Sequence, residues 1–212
     1  MRYAILFLFA SIMHGAVVLD RIAVVVGKHA IKTSDIDRDL RITAFLNRQP
    51  LDVTSQSKRQ SAERLIDQEI IREEIVTGDY RRPADSDAMA FEKQLVHDRF
   101  GGSSAHFDEA LAHYGLTEVE LRPQLLWQLT VLRFIDQRFR AGVFVSDEDV
   151  RAYYDQHRDQ LQKQHPKDAS FETLKEKIRT SLEGEQVNQN FNVWLEESRK
   201  RYRIEYKLEA FG

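Results

Sequence analysis

The chain has 212 residues, of which 31% are charged and 42% hydrophobic, a composition typical of an ordered protein with a sizeable core. The formal net charge is -3, with basic and acidic residues interspersed, which excludes the broad basic surface of a nucleic-acid-binding protein. The sequence contains no cysteine, which excludes disulfides, thiolate catalysis and cysteine-ligated metal sites.

Residues 1–16 have the order of parts found in a secretory signal peptide. A basic residue precedes Ala4 to Met13, an uninterrupted apolar run that is too short to span a bilayer. Ala16 is small enough for the processing position, whereas His14, two residues earlier, is larger than usual there. We therefore expect a mature chain that begins near Val17 and is exported to the periplasm. A buried N-terminal strand or helix of a cytosolic protein is the alternative.

A β-hairpin and a helix are predicted next. Val17 to Val26 is rich in β-branched residues and ends at a Gly-Lys pair, after which Ala30 to Lys32 is a second extended piece. Thr33 to Asp37 has the pattern of a helix start, in which Ser34 caps the free amides.

Helical periodicity continues through the middle of the chain. Apolar residues recur at helical spacing in Lys58 to Thr77, in Ser86 to Phe100 and in His106 to Tyr114. Gly78 and Gly115 are suited to end the first and the last of these helices.

The most apolar helix opens at Thr117, which has the spacing of a capping box with Glu120. Its apolar residues extend well beyond one face, so we expect other elements to cover it on most sides. These residues are Leu121, Leu125, Leu126, Trp127, Leu129, Val131, Leu132, Phe134, Ile135 and Phe139.

The C-terminal part predicts two further helices and a strand. Ser146 caps the first helix, a polar loop follows, and a long helix runs from Ser170 to Arg201, with a slip of its apolar phase near Gly184. Tyr202 to Leu208 alternates as a strand does, and we expect it to join the hairpin, which is unstable alone. The fold predicted is mainly α, with a small N-terminal β-hairpin completed by the C-terminal strand.

Five segments, taken in chain order, resemble the core of the SurA-like periplasmic chaperones. The first is VVLDRIAVVVGKHAIKTSDIDRDL, where a hairpin passes into a helix opened by a Ser-Asp pair. The others are ERLIDQEIIREE, HFDEALAHYGLTEVELRPQLLWQLTVLRFI, VSDEDVRAYYDQHRDQ and FETLKEKIRTSLEGEQVNQNFNVWLEESRKRYRIEY. The resemblance implies an N-terminal chaperone region over residues 17–158, completed by the C-terminal helix and strand within residues 170–212.

In that family a parvulin prolyl-isomerase domain follows the fourth segment. Here residues 159–169 form a loop in its place, far too short to fold as a domain. The resemblance therefore implies a chaperone that holds unfolded outer-membrane proteins in the periplasm, without isomerase activity, and passes them to the assembly machinery. An envelope adaptor with one specific partner and a prolyl isomerase with a reduced site are the alternatives.

No chemical motif suggests an enzyme. The sequence has no Gly-x-Ser-x-Gly elbow and no His-Glu-x-x-His motif, and Gly101 and Gly102 are followed by serines instead of the lysine of a phosphate loop. His106 and His113 lie two helical turns apart, which is too far to share one metal ion. We predict no catalytic residue, no metal and no cofactor.

Aromatic and aliphatic residues in the short helices beside the Gly101-Gly102 loop are the candidate client-binding groove. A mobile loop next to large apolar side chains favours partial exposure. For each residue taken singly, burial in the core is the commoner role. The candidates are Phe91, Leu95, Phe100, Phe107, Leu111 and Tyr114.

Overall fold

The computed structural model describes residues 20–164, 166 and 169–211. Within these ranges the chain is mainly α, as predicted. The strands are β1 (Ile22–Val26), β2 (His29–Lys32) and β3 (Ile204–Tyr206). The helices are α1 (Thr33–Asn47), α2 (Ser55–Thr77), α3 (Asp85–Phe100), α4 (Ser104–His113), α5 (Glu118–Phe139), α6 (Asp147–Gln156), α7 (Arg158–Gln164) and α8 (Phe171–Arg199). The signal peptide expected at residues 1–16 and the chain start at Val17 lie outside the described residues.

The strands form one antiparallel sheet in which β1 is central, with β2 on one side and β3 on the other. Val24 lies opposite Ile31 in β2 and opposite Tyr206 in β3. The prediction that the C-terminal strand completes the hairpin is therefore confirmed. Ala23, Val24 and Val26 of β1 are buried against α1 and α2.

Asp20, which precedes β1, caps the start of α1. Its carboxylate accepts hydrogen bonds from the Ser34 amide at 3.1 Å, the Ser34 hydroxyl at 2.6 Å and the Thr33 hydroxyl at 3.1 Å. The hydrogen bond from the Ser34 hydroxyl holds the pKa of Asp20 below its ordinary value. The prediction that Ser34 is the capping residue is thus wrong, because Ser34 is already inside the helix and donates to a residue distant in sequence.

Helix α8 joins two parts of the molecule. It contains 29 residues and is roughly 44 Å long at 1.5 Å per residue. Leu174 and Ile178 in its first half pack with Val150 of α6, whereas Phe191 and Trp194 in its second half pack against α2 and α5. The slip of apolar phase near Gly184 corresponds to this change of partner, and the helix continues through it without a break.

The segment expected to be a loop over residues 159–169 is partly helical. Arg158–Gln164 forms α7, with Leu161 packed against the cluster that contains Tyr154. The apolar contact of Leu161 explains the helix, because it gives this otherwise polar stretch a side to bury. Residues 165, 167 and 168 lie outside the described residues. None of the helices in the described ranges combines the length and hydrophobicity that a membrane span requires.

Candidate client-binding surface

Five of the six predicted client-binding residues lie together around Phe45 of α1. Leu95, Phe107 and Leu111 are buried, and Phe100 and Tyr114 are half-buried against them. The Phe45 ring centre is 6.4 Å from that of Phe100, 6.0 Å from Phe107 and 5.9 Å from Tyr114. These rings pack against one another, so they form part of the core beneath α3 and α4 instead of an open groove.

The sixth candidate, Phe91, lies apart from this cluster on the outer side of α3. Its side chain is 38% exposed, and Met89 on the same helix is 45% exposed. Phe91 is thus the most exposed of the six candidates.

The open apolar surface of the molecule lies instead on α5. Only Leu121, Leu125 and Phe134 of this helix are buried, whereas Leu132 is 64% and Val119 77% exposed. Of the ten apolar residues predicted on this helix, three are buried, six are half-buried and only Leu132 is exposed, so the expectation that other elements cover α5 is confirmed for all but Leu132. Helices α2, α3 and α8 each contact it along part of its length and leave gaps between them.

One of these gaps at α5 forms what we call the α2–α5 groove, which has two chambers. The Val76 chamber has a volume of about 290 Å³, and its apolar lining consists of Ile75, Val76, Pro83, Pro123, Leu126 and Trp127. The Val119 chamber has a volume of about 320 Å³, and its apolar lining consists of Ile42, Val119, Pro123 and Trp127. Trp127 and Pro123 belong to both, so they form the partition between the chambers.

Arg72 of α2 crosses the groove at this partition. Its guanidinium group lies over the Trp127 ring, 4.6 Å from the ring centre, and Arg72 Nε lies 3.4 Å from Glu69 Oε1. The inner side of Trp127 packs against the cluster of Ile71, Ile75 and Phe134. Trp127 is thus held in place by α2 while it remains only half-buried.

Pro123 interrupts the hydrogen bonding of α5 beside the groove. Because proline has no amide hydrogen, it cannot donate the helical hydrogen bond to the carbonyl of Val119, four residues earlier. Pro123 itself lines both chambers.

A second, shallower apolar surface lies where α8 passes the end of α5. Phe139, Val193 and Trp194 line a cavity of about 620 Å³ together with the amide side chains of Gln186 and Gln189. Val193 is 56% exposed. This surface is wider than the α2–α5 groove, and its polar lining comes from Arg138 of α5 as well as from α8.

The polar clusters of the described residues have structural partners. The buried carboxylate of Asp39 accepts hydrogen bonds from the Ser61 hydroxyl at 2.7 Å and from Arg64 Nη2 at 2.5 Å. Arg199 pairs with Glu63 and, at 2.8 Å, with Asp67, joining the end of α8 to α2. Within the described part of the chain, no group of three or more His, Asp or Glu side chains is placed to hold a metal ion.

The groove residues were not among the six predicted from the sequence. The useful signal was the width of the apolar surface of α5, where Leu126 and Trp127 lie outside the main stripe. No known family model matches the chain, and no curated protein sequence matches it.

Proposed function

We propose that this protein is a SurA-like periplasmic chaperone that holds unfolded outer-membrane proteins in the α2–α5 groove, without covalent catalysis. The observation that carries the proposal is the partly exposed apolar wall that Leu126 and Trp127 of α5 form beside the exposed Val76 of α2. Soluble proteins rarely leave a large contiguous apolar surface open unless it binds something.

The groove has the chemistry that an extended, aromatic-rich polypeptide requires. Trp127 offers a ring against which an aromatic side chain of a client packs in an offset or edge-to-face geometry. Burial of apolar area favours such a complex without requiring a defined client sequence, and the entropy lost on association keeps the binding reversible.

The order of elements supports the SurA-like assignment. A hairpin leads into α1, the strand after α8 returns to that hairpin, and only α7 and a short connection lie between α6 and α8. That connection is too short to contain a parvulin domain. Its length agrees with a holding role that lacks isomerase activity. The signal-peptide pattern of residues 1–16 favours the periplasm, where the proposed clients pass on their way to the outer-membrane assembly machinery.

The proposal is tested by diluting a urea-unfolded porin into buffer with a several-fold excess of the protein and following aggregation by light scattering. We expect aggregation to be delayed. If the purified mature protein causes no delay, the holding function is wrong. Capture of a single folded partner from envelope extracts, without binding of unfolded chains, would indicate an adaptor instead. A protease-coupled proline isomerisation assay should give no rate above background.

Three valines of similar exposure locate the binding surface. Val76 lines the groove and is 59% exposed, Val193 lines the α8 surface and is 56% exposed, and Val53, in the segment before α2, is 57% exposed. Replacing each by Asp makes the same chemical change at an exposed position, where a substitution has little effect on the stability of the fold. We expect Val76→Asp to weaken the delay of aggregation more than the other two variants. Equal effects of Val76→Asp and Val53→Asp would exclude the groove.

A further inference from the structure

The Val76 chamber is lined by positive charge as well as by apolar side chains. Arg72 and Arg82 line it, and no Asp or Glu does so. The ion-pair partner of Arg72, Glu69, does not line this chamber but borders a neighbouring cavity, which Arg72 also lines, on the side of α2 that faces α1. A ligand in the Val76 chamber therefore meets guanidinium groups without a neighbouring carboxylate on the same wall.

Arg82 is the less engaged of these two arginines. Its backbone carbonyl accepts a hydrogen bond from Arg133 Nη1 at 3.2 Å, and Arg133 in turn pairs with Asp87 at 3.5 Å. Those contacts fix the backbone at the turn but leave the Arg82 side chain exposed. Within the described ranges, the guanidinium group of Arg82 has no carboxylate within ion-pair distance.

We infer that the Val76 chamber prefers apolar polypeptide segments that carry a carboxylate over otherwise identical segments that are neutral or carry a lysine. This preference rests on the proposed holding function and names the kind of client segment that the groove selects. A guanidinium group donates parallel hydrogen bonds to a carboxylate, and the charges strengthen them. The chain as a whole has a formal net charge of -3, so the two arginines form a local positive region that orients an acidic segment toward the chamber.

Fluorescence anisotropy with synthetic peptides tests the inference. Three labelled peptides share one apolar, aromatic-containing sequence and differ at a single central position, which is Glu, Gln or Lys. We expect the Glu peptide to bind about three- to fivefold more tightly than the Gln peptide, and the Lys peptide to bind most weakly. High salt should reduce these differences, because the interacting groups are exposed to solvent.

Variants at two neighbouring arginines separate the chamber from the general charge of the protein. Arg82→Glu should abolish or invert the preference for the Glu peptide, and Arg82→Gln should remove it. Arg81→Glu makes the same change in net charge one residue away, at an exposed side chain that does not line the chamber, and should preserve the preference. Circular dichroism of each variant shows that the fold is intact.

The outcomes distinguish this inference from the proposed function. Equal affinity for the three peptides, or equal effects of Arg81→Glu and Arg82→Glu, overturns the carboxylate preference and leaves the holding function standing. Failure of every peptide to bind overturns both.

Discussion

The guanidinium carbon of Arg72 lies 4.6 Å from the centre of the Trp127 ring, so a cation on α2 and an aromatic side chain on α5 meet across the groove. This contact keeps the two helices at a fixed separation at the point where both chambers end. It also orients the ring that we propose as the main contact for clients.

The first prediction concerns the strength of this contact. A double-mutant cycle with Arg72→Ala and Trp127→Ala, measured by urea unfolding, should give a coupling free energy of about 0.5 to 1 kcal/mol. The control cycle pairs Arg72→Ala with Trp194→Ala, because Trp194 packs with Arg138 instead. That control should be additive to within about 0.5 kcal/mol. Additive behaviour in the Arg72 and Trp127 cycle would show that the contact contributes nothing to stability.

Asp39 gives a second prediction. Its carboxylate is 8% exposed and holds Ser61 and Arg64 of α2 against α1. Asp39→Ala should lower the free energy of unfolding by about 2 to 3 kcal/mol, since it leaves the buried Ser61 hydroxyl and the guanidinium group with fewer partners. Asp37→Ala, two residues earlier on the exposed side of α1, should change it by less than about 0.5 kcal/mol. Similar losses for both variants, measured by urea unfolding, would contradict the structural role of Asp39.

Two glycines should respond with opposite signs to the same substitution. Gly115 has a φ of 63°, in the left-handed region, so Gly115→Ala should destabilise the protein by about 1 kcal/mol. Gly184 lies inside α8, and an added Cβ would meet no atom within 4 Å. Gly184→Ala should therefore stabilise the protein by about 0.5 to 1 kcal/mol. Thermal unfolding measures both, and a loss of stability for Gly184→Ala would mean that α8 needs its glycine.

The fourth prediction is a pH dependence at Asp67. Burial raises the pKa of Asp67 above the ordinary 3.8, against the opposing charge of Arg199. In the pH range just above 3.8 the folded protein thus binds more protons at this site than the unfolded chain does. This site's contribution to the free energy of unfolding falls as pH rises through that range. Relative to the unmodified protein, Asp67→Asn should gain stability with increasing pH.

Asp147 provides the comparison of opposite sign. The hydrogen bond from Arg179 lowers the pKa of Asp147, so its stabilising effect is present above the ordinary pKa and is lost as pH falls. Asp147→Asn should therefore become less stable relative to the unmodified protein as pH rises. Urea unfolding of both variants over a pH series checks the two trends, and parallel slopes would contradict the assignment.

Local signals in the sequence were sufficient for much of the fold. Thr117 begins its helix with the predicted capping box, and Ser146 is the predicted cap of its helix, because their bonds with Glu120 and Asp149 depend on spacing alone. The alternation of Tyr202 to Leu208 likewise predicted a strand, of which Ile204–Tyr206 pairs with β1.

Features that depend on tertiary contacts were not accessible in the same way. Ser34 has the residue type of a cap, but Asp20 takes that role through a contact across the hairpin. Phe107 and Leu111 lie in short helices that suggested exposure, whereas Phe45 and its neighbours bury them. Periodicity marked Trp127 as apolar without indicating that it would pack against α2 and still remain half-buried.

The pairing of β1 with β3 also has a consequence for the order of folding. Val26 can pair with Ile204 only after nearly all of the described chain has been synthesised. Phe211, which packs in the same hydrophobic cluster as Val26, is synthesised later still. Contacts so distant in sequence form slowly, because a long loop must close first. In a nascent chain halted before residue 204, one edge of β1 would remain unpaired. Such an edge is a template for aggregation, and pairing with β3 removes it.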